Sequence, residues 1–384
     1  MKHLRALLLV GLGVAAGDEP FGAGVVVGRP EGAERYFTVV DAGRQGVGPS
    51  GAVWVVARTG DWPHAFPHSG VAVWLGASAQ SLLEAPRVAL GVDENVSANF
   101  GALAFDGRFV SAGGVENLQV PEAFRGIRVF ESGADVFDVA SWATTATLRG
   151  AHDGCVERRR LPHKLAPGTC EFDGHLSIAR TRSGDLFLYA RANLRQKNGG
   201  RFVQVAKRPR GHLRWRSFAP LEIEGYGWQS AFDHNIYFAA VNANPVDGGD
   251  TLLALMPVND GRRAFVGLAL SCDGARFSEL APVLNSDVAP YGRSTDHPVD
   301  GFLDGGDDVF FFVHRHVPGI EFRGRAAEVV RLAVPKAHLA NFTRRATWSL
   351  RRRGQCGRTP WPPPRPAGPA WLWGPKADDS TVDS

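Results

Sequence analysis

Short runs of alternating apolar and polar residues recur along most of this chain, separated by turns rich in glycine and aspartate. Within residues 170–226, four such runs follow one another, at residues 175–179, 186–190, 202–206 and 219–223. Alternation with a period of two residues, bounded by turns, is typical of strands joined as hairpins. This segment therefore predicts one small antiparallel sheet of four strands.

The same unit recurs roughly every 55–75 residues, a period in the range of propeller blades. The third strands of the repeats are predicted at residues 70–78, 126–132, 201–206, 265–271 and 326–332. The second strands are predicted at residues 53–57, 109–112, 186–190, 236–240 and 309–313. A radial array of sheets removes exposed edges by closing on itself. We therefore predict an all-β fold, a five-bladed β-propeller with four-stranded antiparallel blades, over residues 18–343. A pair of β-sandwich domains is the alternative that strand spacing leaves open.

The two ends of the chain differ from the predicted propeller. Residues 1–17 combine basic residues, a short apolar run and small residues, which is the pattern of a signal peptide and predicts a secreted protein. No later apolar run approaches the roughly 20 residues of a transmembrane helix. Residues 344–384 are rich in arginine and proline and predict a disordered tail. Two glycosylation sequons, at Asn95 and Asn341, add little to this assignment.

The formal net charge of +4 comes from the two ends of the chain. Residues 344–384 hold a net +5 and the N-terminal segment a further +2, so the predicted propeller is at about −3. A nucleic-acid-binding protein needs a clustered basic face, and this composition excludes one from the propeller. We expect a monomer whose partner is a carbohydrate substrate or ligand.

The four cysteines have no spacing that indicates a zinc site. Cys155 and Cys170 flank a basic loop that they could close as a disulfide in an oxidising compartment. Cys272 lies next to a predicted strand and is interpreted as a buried thiol, and Cys356 lies in the predicted tail. We expect neither a metal nor an organic cofactor.

Polar residues concentrate in two sets of loops that open on the same face of a propeller. The loops before the first strands contain Asp173, His175, Asn235, Asp296, His297 and Asp300, and the ends of the predicted second strands contain Arg191, Asn193, Asn242 and His314. Any one of the aspartates is also an ordinary turn former. Taken together, the set predicts a central ligand pocket.

Two carboxylates that face each other across a sugar can hydrolyse its glycosidic bond. Asp173 and either Asp296 or Asp300 come from different repeats, so they can lie across a central funnel. Glu224 is the candidate general acid, with a solvated strand-end residue as the alternative. The other eight polar residues are predicted to bind substrate, and Arg191 can also hold a catalytic aspartate in its ionised form.

The sequence of residues 173–180, Asp-Gly-His-Leu-Ser-Ile-Ala-Arg, is followed by Leu-Phe-Leu-Tyr-Ala-Arg-Ala-Asn and Gly-Gly-Arg-Phe-Val-Gln-Val-Ala. This pattern resembles the blades of five-bladed propeller glycosidases, glycoside hydrolase families 32 and 43. The resemblance implies a nucleophile or base role for Asp173, a supporting role for Asp296 and an acid role for Glu224. The Asn-Asp-Pro-Asn, Arg-Asp-Pro and Glu-Cys motifs of the fructosidases are absent from this sequence.

These observations predict a secreted glycoside hydrolase that acts on O-glycosidic bonds. Two other functions remain open, a carbohydrate-binding propeller without catalysis and a protein-interaction propeller. The motifs of serine hydrolases, P-loop nucleotide hydrolases and dinucleotide-dependent dehydrogenases are absent from the sequence.

Overall fold

The computed structural model describes residues 24–30, 34–60, 70–92, 94–97, 99–115, 125–133, 135–148, 174–193, 201–226, 235–289, 293–317 and 324–356. The predicted signal peptide, the cysteines Cys155 and Cys170, and Asp173 lie outside these residues. Within the described ranges, no helix has both the length and the apolar character needed to cross a membrane.

Antiparallel sheets that follow one another along the chain make up most of the described structure. Strand β1 (Val25–Gly28) comes first, and three sheets of four consecutive strands follow it. The first is β2 (Arg35–Asp41), β3 (Val53–Thr59), β4 (Gly70–Ala77) and β5 (Arg87–Leu90). A short helix, α1 (Glu94–Ser97), precedes the second, which is β6 (Gly101–Phe105), β7 (Arg108–Val115), β8 (Gly126–Glu131) and β9 (Ala143–Leu148). The third is β10 (Ser177–Arg180), β11 (Leu186–Asn193), β12 (Arg201–Arg208) and β13 (Ala219–Pro220).

Two larger sheets complete the fold. The fourth sheet is β14 (Glu222–Ile223), β15 (Asn235–Ile236), β16 (Ala240–Ala243), β17 (Leu252–Asn259), β18 (Ala264–Ser271), β19 (Arg276–Phe277) and β20 (Ala281–Ser286). A separate hairpin, β21 (Val288–Ala289) and β22 (Arg293–Ser294), follows it. The fifth sheet is β23 (His297–Pro298), β24 (Leu303–Asp304), β25 (Asp308–Arg315) and β26 (Glu328–Pro335), and β1 pairs with β26 at its edge. The N-terminal strand thus closes the last sheet.

Each sheet is packed on both faces, and β11 shows why its sequence is a nearly continuous apolar run. Leu186 and Leu188 pack in the core shared with the second sheet. Phe187 and Tyr189, the residues between and after them, pack in the core shared with the fourth sheet. Because side chains alternate across a strand, both sets must be apolar when both faces are covered.

Successive sheets contact one another in a closed ring, in most cases through their first strands. Strand β2 contacts β6, β6 contacts β10, and β10 contacts β16. Strand β17 of the fourth sheet then contacts β23, and β24 of the last sheet returns to β2. This radial arrangement of antiparallel sheets is a β-propeller, so two separate sandwich domains are excluded.

The predicted five four-stranded blades are confirmed only in part. Three sheets have four strands, but the two later sheets have seven and five strands. In both sheets the first strand is interrupted, and in the fourth sheet β19 and β20 also both pair with β18, while β14 pairs in parallel with β19. Strands β15 and β16 both pair with β17, and β23 and β24 both pair with β25. The repeat alignment was also wrong in the fourth sheet, because residues 236–240 lie on its interrupted first strand and its second strand is β17.

A C-terminal helix replaces part of the predicted tail. Helix α2 (Lys336–Arg352) buries Leu339, Phe342 and Leu350 in the core shared by the fourth and fifth sheets. Cys356 then forms a disulfide with Cys272, with a Cα–Cα distance of 5.6 Å. The prediction of a disordered tail from residue 344 is therefore wrong as far as residue 356, and Cys272 is not a free thiol. The apolar residues of this segment lie on one side of the helix, and their burial stabilises the helix despite the arginine-rich composition. Residues 357–384 lie outside the described residues.

Candidate functional site

The first and last sheets meet at Asp300, in the gap between β23 and β24. The Asp300 backbone N–H donates to the Phe37 carbonyl at 3.0 Å, and the Val39 N–H donates to the Asp300 carbonyl at 2.7 Å. Gly301 follows with a φ of +93°, and a Cβ there would lie 1.9 Å from the Val39 oxygen. Only glycine allows this approach of two backbones. The junction fixes Asp300 beside the innermost strand of the first sheet.

The Asp300 carboxylate joins three sheets through its side-chain contacts. Its Oδ1 accepts hydrogen bonds from Asn242 Nδ2 at 2.7 Å and from the Gly301 N–H at 3.1 Å. Its Oδ2 lies 3.6 Å from His175 Nε2, and both side chains are buried. Among the described residues, neither Asp300 Oδ2 nor either His175 nitrogen has a hydrogen-bond partner. The structure thus brings together His175, Asn242 and Asp300, three of the residues that were predicted to converge.

Aromatic rings pack around His175, the neighbour of this carboxylate. The Tyr36 and Tyr237 hydroxyl oxygens lie 3.4 Å apart. The His297 ring stacks on Tyr237 at a centroid distance of 5.3 Å and meets Phe238 edge-on at 5.5 Å. The Tyr36 ring lies 5.6 Å from the His175 ring. These four aromatic side chains and His175 form the central cluster, together with Asp300 and Asn242.

Local irregularities of the strands place these residues. Tyr36 lies in a bulge of β2 and has a φ of +59°, which is rare for a residue with a side chain. Tyr237 and Phe238 lie in the gap between β15 and β16. Asp300 lies in the gap between β23 and β24. The regular pairing of the strands is interrupted at each of these points. The side chains there therefore do not have to alternate between the two faces of the sheet.

Arginine side chains from four strands lie against the two tyrosine rings. The Cζ atoms of Arg191, Arg201 and Arg293 lie 4.8, 5.4 and 5.6 Å from the Tyr237 ring centroid. The Cζ atom of Arg58 lies 5.0 Å from the Tyr36 ring centroid. Arg293 Nη1 also donates to the Tyr237 hydroxyl at 3.4 Å. Of these four arginines, only Arg191 was predicted from the sequence as a site residue.

The two histidines of the fifth sheet are neutral at ordinary pH. His297 and His314 are paired across β23 and β25 and both are buried. Burial lowers the pKa of His314 to about 3, and the nearby Arg35 charge contributes to this shift. Burial also lowers the pKa of His297 well below its ordinary value, assisted by His314, Arg293 and Arg35. Their imidazole rings are therefore available as uncharged hydrogen-bonding groups.

Asp296 holds the end of β25 and is not directed at Asp300. Its Oδ1 accepts a hydrogen bond from the His316 N–H at 3.1 Å, and its Oδ2 lies 3.6 Å from Arg315 Nε. His316 has a φ of +59°, so the Asp296 contact stabilises an unfavourable backbone conformation. Burial raises the pKa of Asp296, and the Arg315 charge opposes that shift. These contacts give Asp296 a positioning role.

Glu224 lies away from the central cluster. It follows β14, at the outer edge of the fourth sheet, and its carboxylate bonds to Arg353 after helix α2. Its N–H donates to the Phe277 carbonyl at 3.1 Å. The prediction of Glu224 as an acid in the central funnel is therefore not supported by its position. The sequence did not show that this strand end faces the C-terminal helix.

The remaining predicted residues divide into two groups. Asn235 is buried at the start of the interrupted strand and pairs with Asn259 in the ladder. Asn193 ends β11, and its side chain lies outside the described part of the structure, as does Asp173.

The described residues contain no candidate metal site, because no group of three or more histidine, cysteine, aspartate or glutamate side chains that could hold a metal ion occurs among them.

A signal for the missed aromatic residues is present in the sequence. The dipeptide Tyr-Phe occurs at residues 36–37 and again at residues 237–238. Both copies lie at an interruption of a first strand, and the hydroxyl oxygens of their two tyrosines lie 3.4 Å apart. A search for equal dipeptides at the starts of the repeats would have found them. Arg58, Arg201 and Arg293 had no comparable signal, because arginine is frequent throughout the chain.

Known proteins resemble this chain only distantly. No protein-family model and no curated protein sequence matches this chain. Among solved structures, an alpha-L-arabinofuranosidase of Podospora anserina in complex with cellotriose is 12% identical, with a TM-score of 0.49 over 81% of this chain and 96% of its own. A GH62 alpha-L-arabinofuranosidase of Coprinopsis cinerea is 12% identical, with a TM-score of 0.49 over 80% and 94%. A protein of unknown function from Dyadobacter fermentans is also 12% identical, with a TM-score of 0.49 over 82% of both chains. At these identities, and with TM-scores below 0.5, the resemblances identify neither a substrate nor a reaction for this chain.

Proposed function

We propose that this chain is a glycoside hydrolase whose sugar site is the central cluster around Asp300. The observation that supports this proposal is the environment of the Asp300 carboxylate. Asn242 holds one oxygen at 2.7 Å, and the other has no hydrogen-bond partner among the described residues. A carboxylate held in this way is suited to act as nucleophile or base at a sugar carbon. The adjacent tyrosine rings and neutral histidines provide the apolar faces and hydroxyl-binding groups of a sugar pocket.

Hydrolysis requires a second carboxylate, and we assign that role to Asp173. Asp173 precedes by two residues the His175 that lies 3.6 Å from Asp300. Glu224 bonds to Arg353 at the outer edge of the fourth sheet, and Asp296 holds the end of β25. In this proposal Asp300 is the nucleophile or base, Asp173 is the proton donor, and Asp296 is a positioning residue.

A carbohydrate-binding propeller without catalysis is the second candidate function. It is favoured by the positions of the two other predicted carboxylates that the structure describes. Asp296 holds the end of β25, and Glu224 bonds to Arg353 at the outer edge of the fourth sheet. A site with one carboxylate can bind hydroxyl groups but lacks the pair that glycosidases use.

Hydrolysis of a panel of neutral and acidic oligosaccharides by the full chain separates the two functions. We expect the Asp300→Asn variant to lose at least about 1,000-fold in kcat on any substrate that is cleaved, a loss typical of a missing catalytic group. Asp307→Asn is the matched control, because Asp307 is exposed in the turn before β25. Hydrolysis that survives in Asp300→Asn would refute the assignment, and binding of sugars without cleavage would support the second function.

The family and the compartment are also part of the proposal. The sequence pattern of residues 173–206 supports a relationship to glycoside hydrolase families 32 and 43. The predicted signal peptide and the Cys272–Cys356 disulfide support secretion, because disulfides persist in oxidising compartments. Sequencing the N-terminus of the protein secreted by its native cells tests this point, and we expect cleavage after about residue 17. An N-terminus that still begins at Met1 would contradict secretion through this segment.

A further inference from the structure

The two central tyrosines lie among an unusual number of positive charges. Three guanidinium groups, those of Arg191, Arg201 and Arg293, lie within 5.6 Å of the Tyr237 ring centroid. They come from β11, β12 and β22, so the tertiary fold brings them together and no local sequence run does. Arg58 approaches the Tyr36 ring from β3. The two rings are joined at their hydroxyl groups, which lie 3.4 Å apart.

Convergence on one ring places these charges close to one another. Any two of the three guanidinium groups around Tyr237 lie within about 11 Å, because each is no more than 5.6 Å from the same point. Like charges at that separation repel, and a partly buried site screens them less than bulk water does. Three guanidinium groups thus surround the Tyr237 ring, and that of Arg293 also donates to its hydroxyl.

Two features of neighbouring residues accompany this cluster of arginines. The nearby charges of Arg293 and Arg35 contribute to the lowered pKa of His297, since they disfavour a further positive charge. The Arg58 side chain is only 3% exposed, and its Nε has no hydrogen-bond partner within the described residues. A buried guanidinium N–H without a partner is a donor that a bound anion can satisfy.

We propose that the ligand of the central site is an anionic sugar, a uronate or a sulfated sugar, whose charged group binds between Arg191, Arg201 and Arg293 beside Tyr237. The guanidinium group donates two parallel hydrogen bonds to a carboxylate or a sulfate, which a neutral hydroxyl cannot match. This inference deepens the proposed function, because it assumes that the cluster around Asp300 binds a sugar.

Binding of matched sugar pairs to the full chain tests the proposal. One pair is trigalacturonate and its carboxyl-reduced form, and the other is a sulfated carrageenan tetrasaccharide and its desulfated form. We expect the acidic member of at least one pair to bind about tenfold tighter or more, as for a desolvated charge pair. The preferred pair distinguishes a carboxylate ligand from a sulfate ligand. This preference is expected to fall as the salt concentration rises from 50 to 500 mM.

Variants of one arginine separate charge recognition from a structural role. Arg293→Gln is expected to reduce binding of the acidic member about tenfold and to leave the neutral member unchanged. Arg293→Lys retains the charge and is expected to retain part of the preference. Arg262→Gln is the matched control, because Arg262 is exposed in the β17–β18 turn.

Each outcome decides the proposal. Equal or tighter binding of the neutral members would overturn the anionic ligand but leave the proposed glycosidase function intact, provided that hydrolysis still depends on Asp300. Equal losses for both members in Arg293→Gln would also overturn it, because they indicate a structural arginine. Absence of binding and cleavage for every sugar would overturn both proposals.

Discussion

Acidification is expected to destabilise this protein through the buried His314. The His314 ring meets the Phe37 ring edge-on at 5.1 Å, and neither of its nitrogens has a hydrogen-bond partner among the described residues. Charged or titratable groups near it are Arg35, His316 and its cross-strand neighbour His297. A protonated imidazole in this position would be buried beside other positive charges.

The size of the effect follows from the pKa difference between the folded and unfolded states. The pKa of His314 is about 3 in the folded protein, against 6.5 for the free side chain. Between those values the unfolded state binds more protons, so stability falls as the pH decreases below 6.5. At pH 5, about 1.5 pH units below 6.5, the loss is about 2 kcal/mol at 1.36 kcal/mol per unit.

Urea unfolding followed by tryptophan fluorescence at pH 7.5 and pH 5.0 measures this loss. In His314→Phe, an aromatic ring of similar size replaces the imidazole and no polar atom is left unpaired. We expect the free energy of unfolding of this variant to fall by about 2 kcal/mol less than that of the wild type between the two pH values. His212→Phe, at an exposed position between β12 and β13, is expected to behave as the wild type. Equal losses in wild type and His314→Phe would refute the reasoning.

Three further predictions concern the fold. Reduction of the Cys272–Cys356 disulfide is expected to lower the free energy of unfolding by about 2–4 kcal/mol, and the loss caused by dithiothreitol should be smaller by that amount in the Cys272→Ser/Cys356→Ser double variant. Gly301→Ala is expected to cost about 3 kcal/mol or more in thermal unfolding, because its Cβ would collide with a backbone carbonyl. Gly306→Ala, with a φ of +84° and no atom within 4 Å, should cost about 1 kcal/mol, and equal costs would contradict the argument. Asn341 is 5% exposed, so peptide mass spectrometry of protein from a eukaryotic host should find it unmodified, and a glycan there would contradict its burial.

The candidate site was predictable where it depends on loops before first strands. His175 and Asp300 were predicted to converge because they occupy equivalent places of a radial repeat, whereas Asn242 was assigned to the end of a second strand and lies on β16, part of an interrupted first strand. Glu224 was misplaced, because a carboxylate at a strand end has no sequence signal that distinguishes the inner end of a blade from the outer edge. Arg201 and Arg293 were missed, since their meeting at Tyr237 depends on how separate strands cross the centre.

The sequence alone determined the class of fold, because alternation along a strand and the recurrence of turns are local properties of the chain. Burial on both faces is also visible in sequence, as the nearly continuous apolar runs of β11, β17 and β18. Only the tertiary structure decided how many strands each sheet has, where the first strands are interrupted and which side chains lie at these interruptions. Those features depend on contacts between residues far apart in sequence, such as Val39 with Asp300 and Cys272 with Cys356. The amphipathic helix at residues 336–352 became evident only once the sheets that cover its apolar stripe were in place.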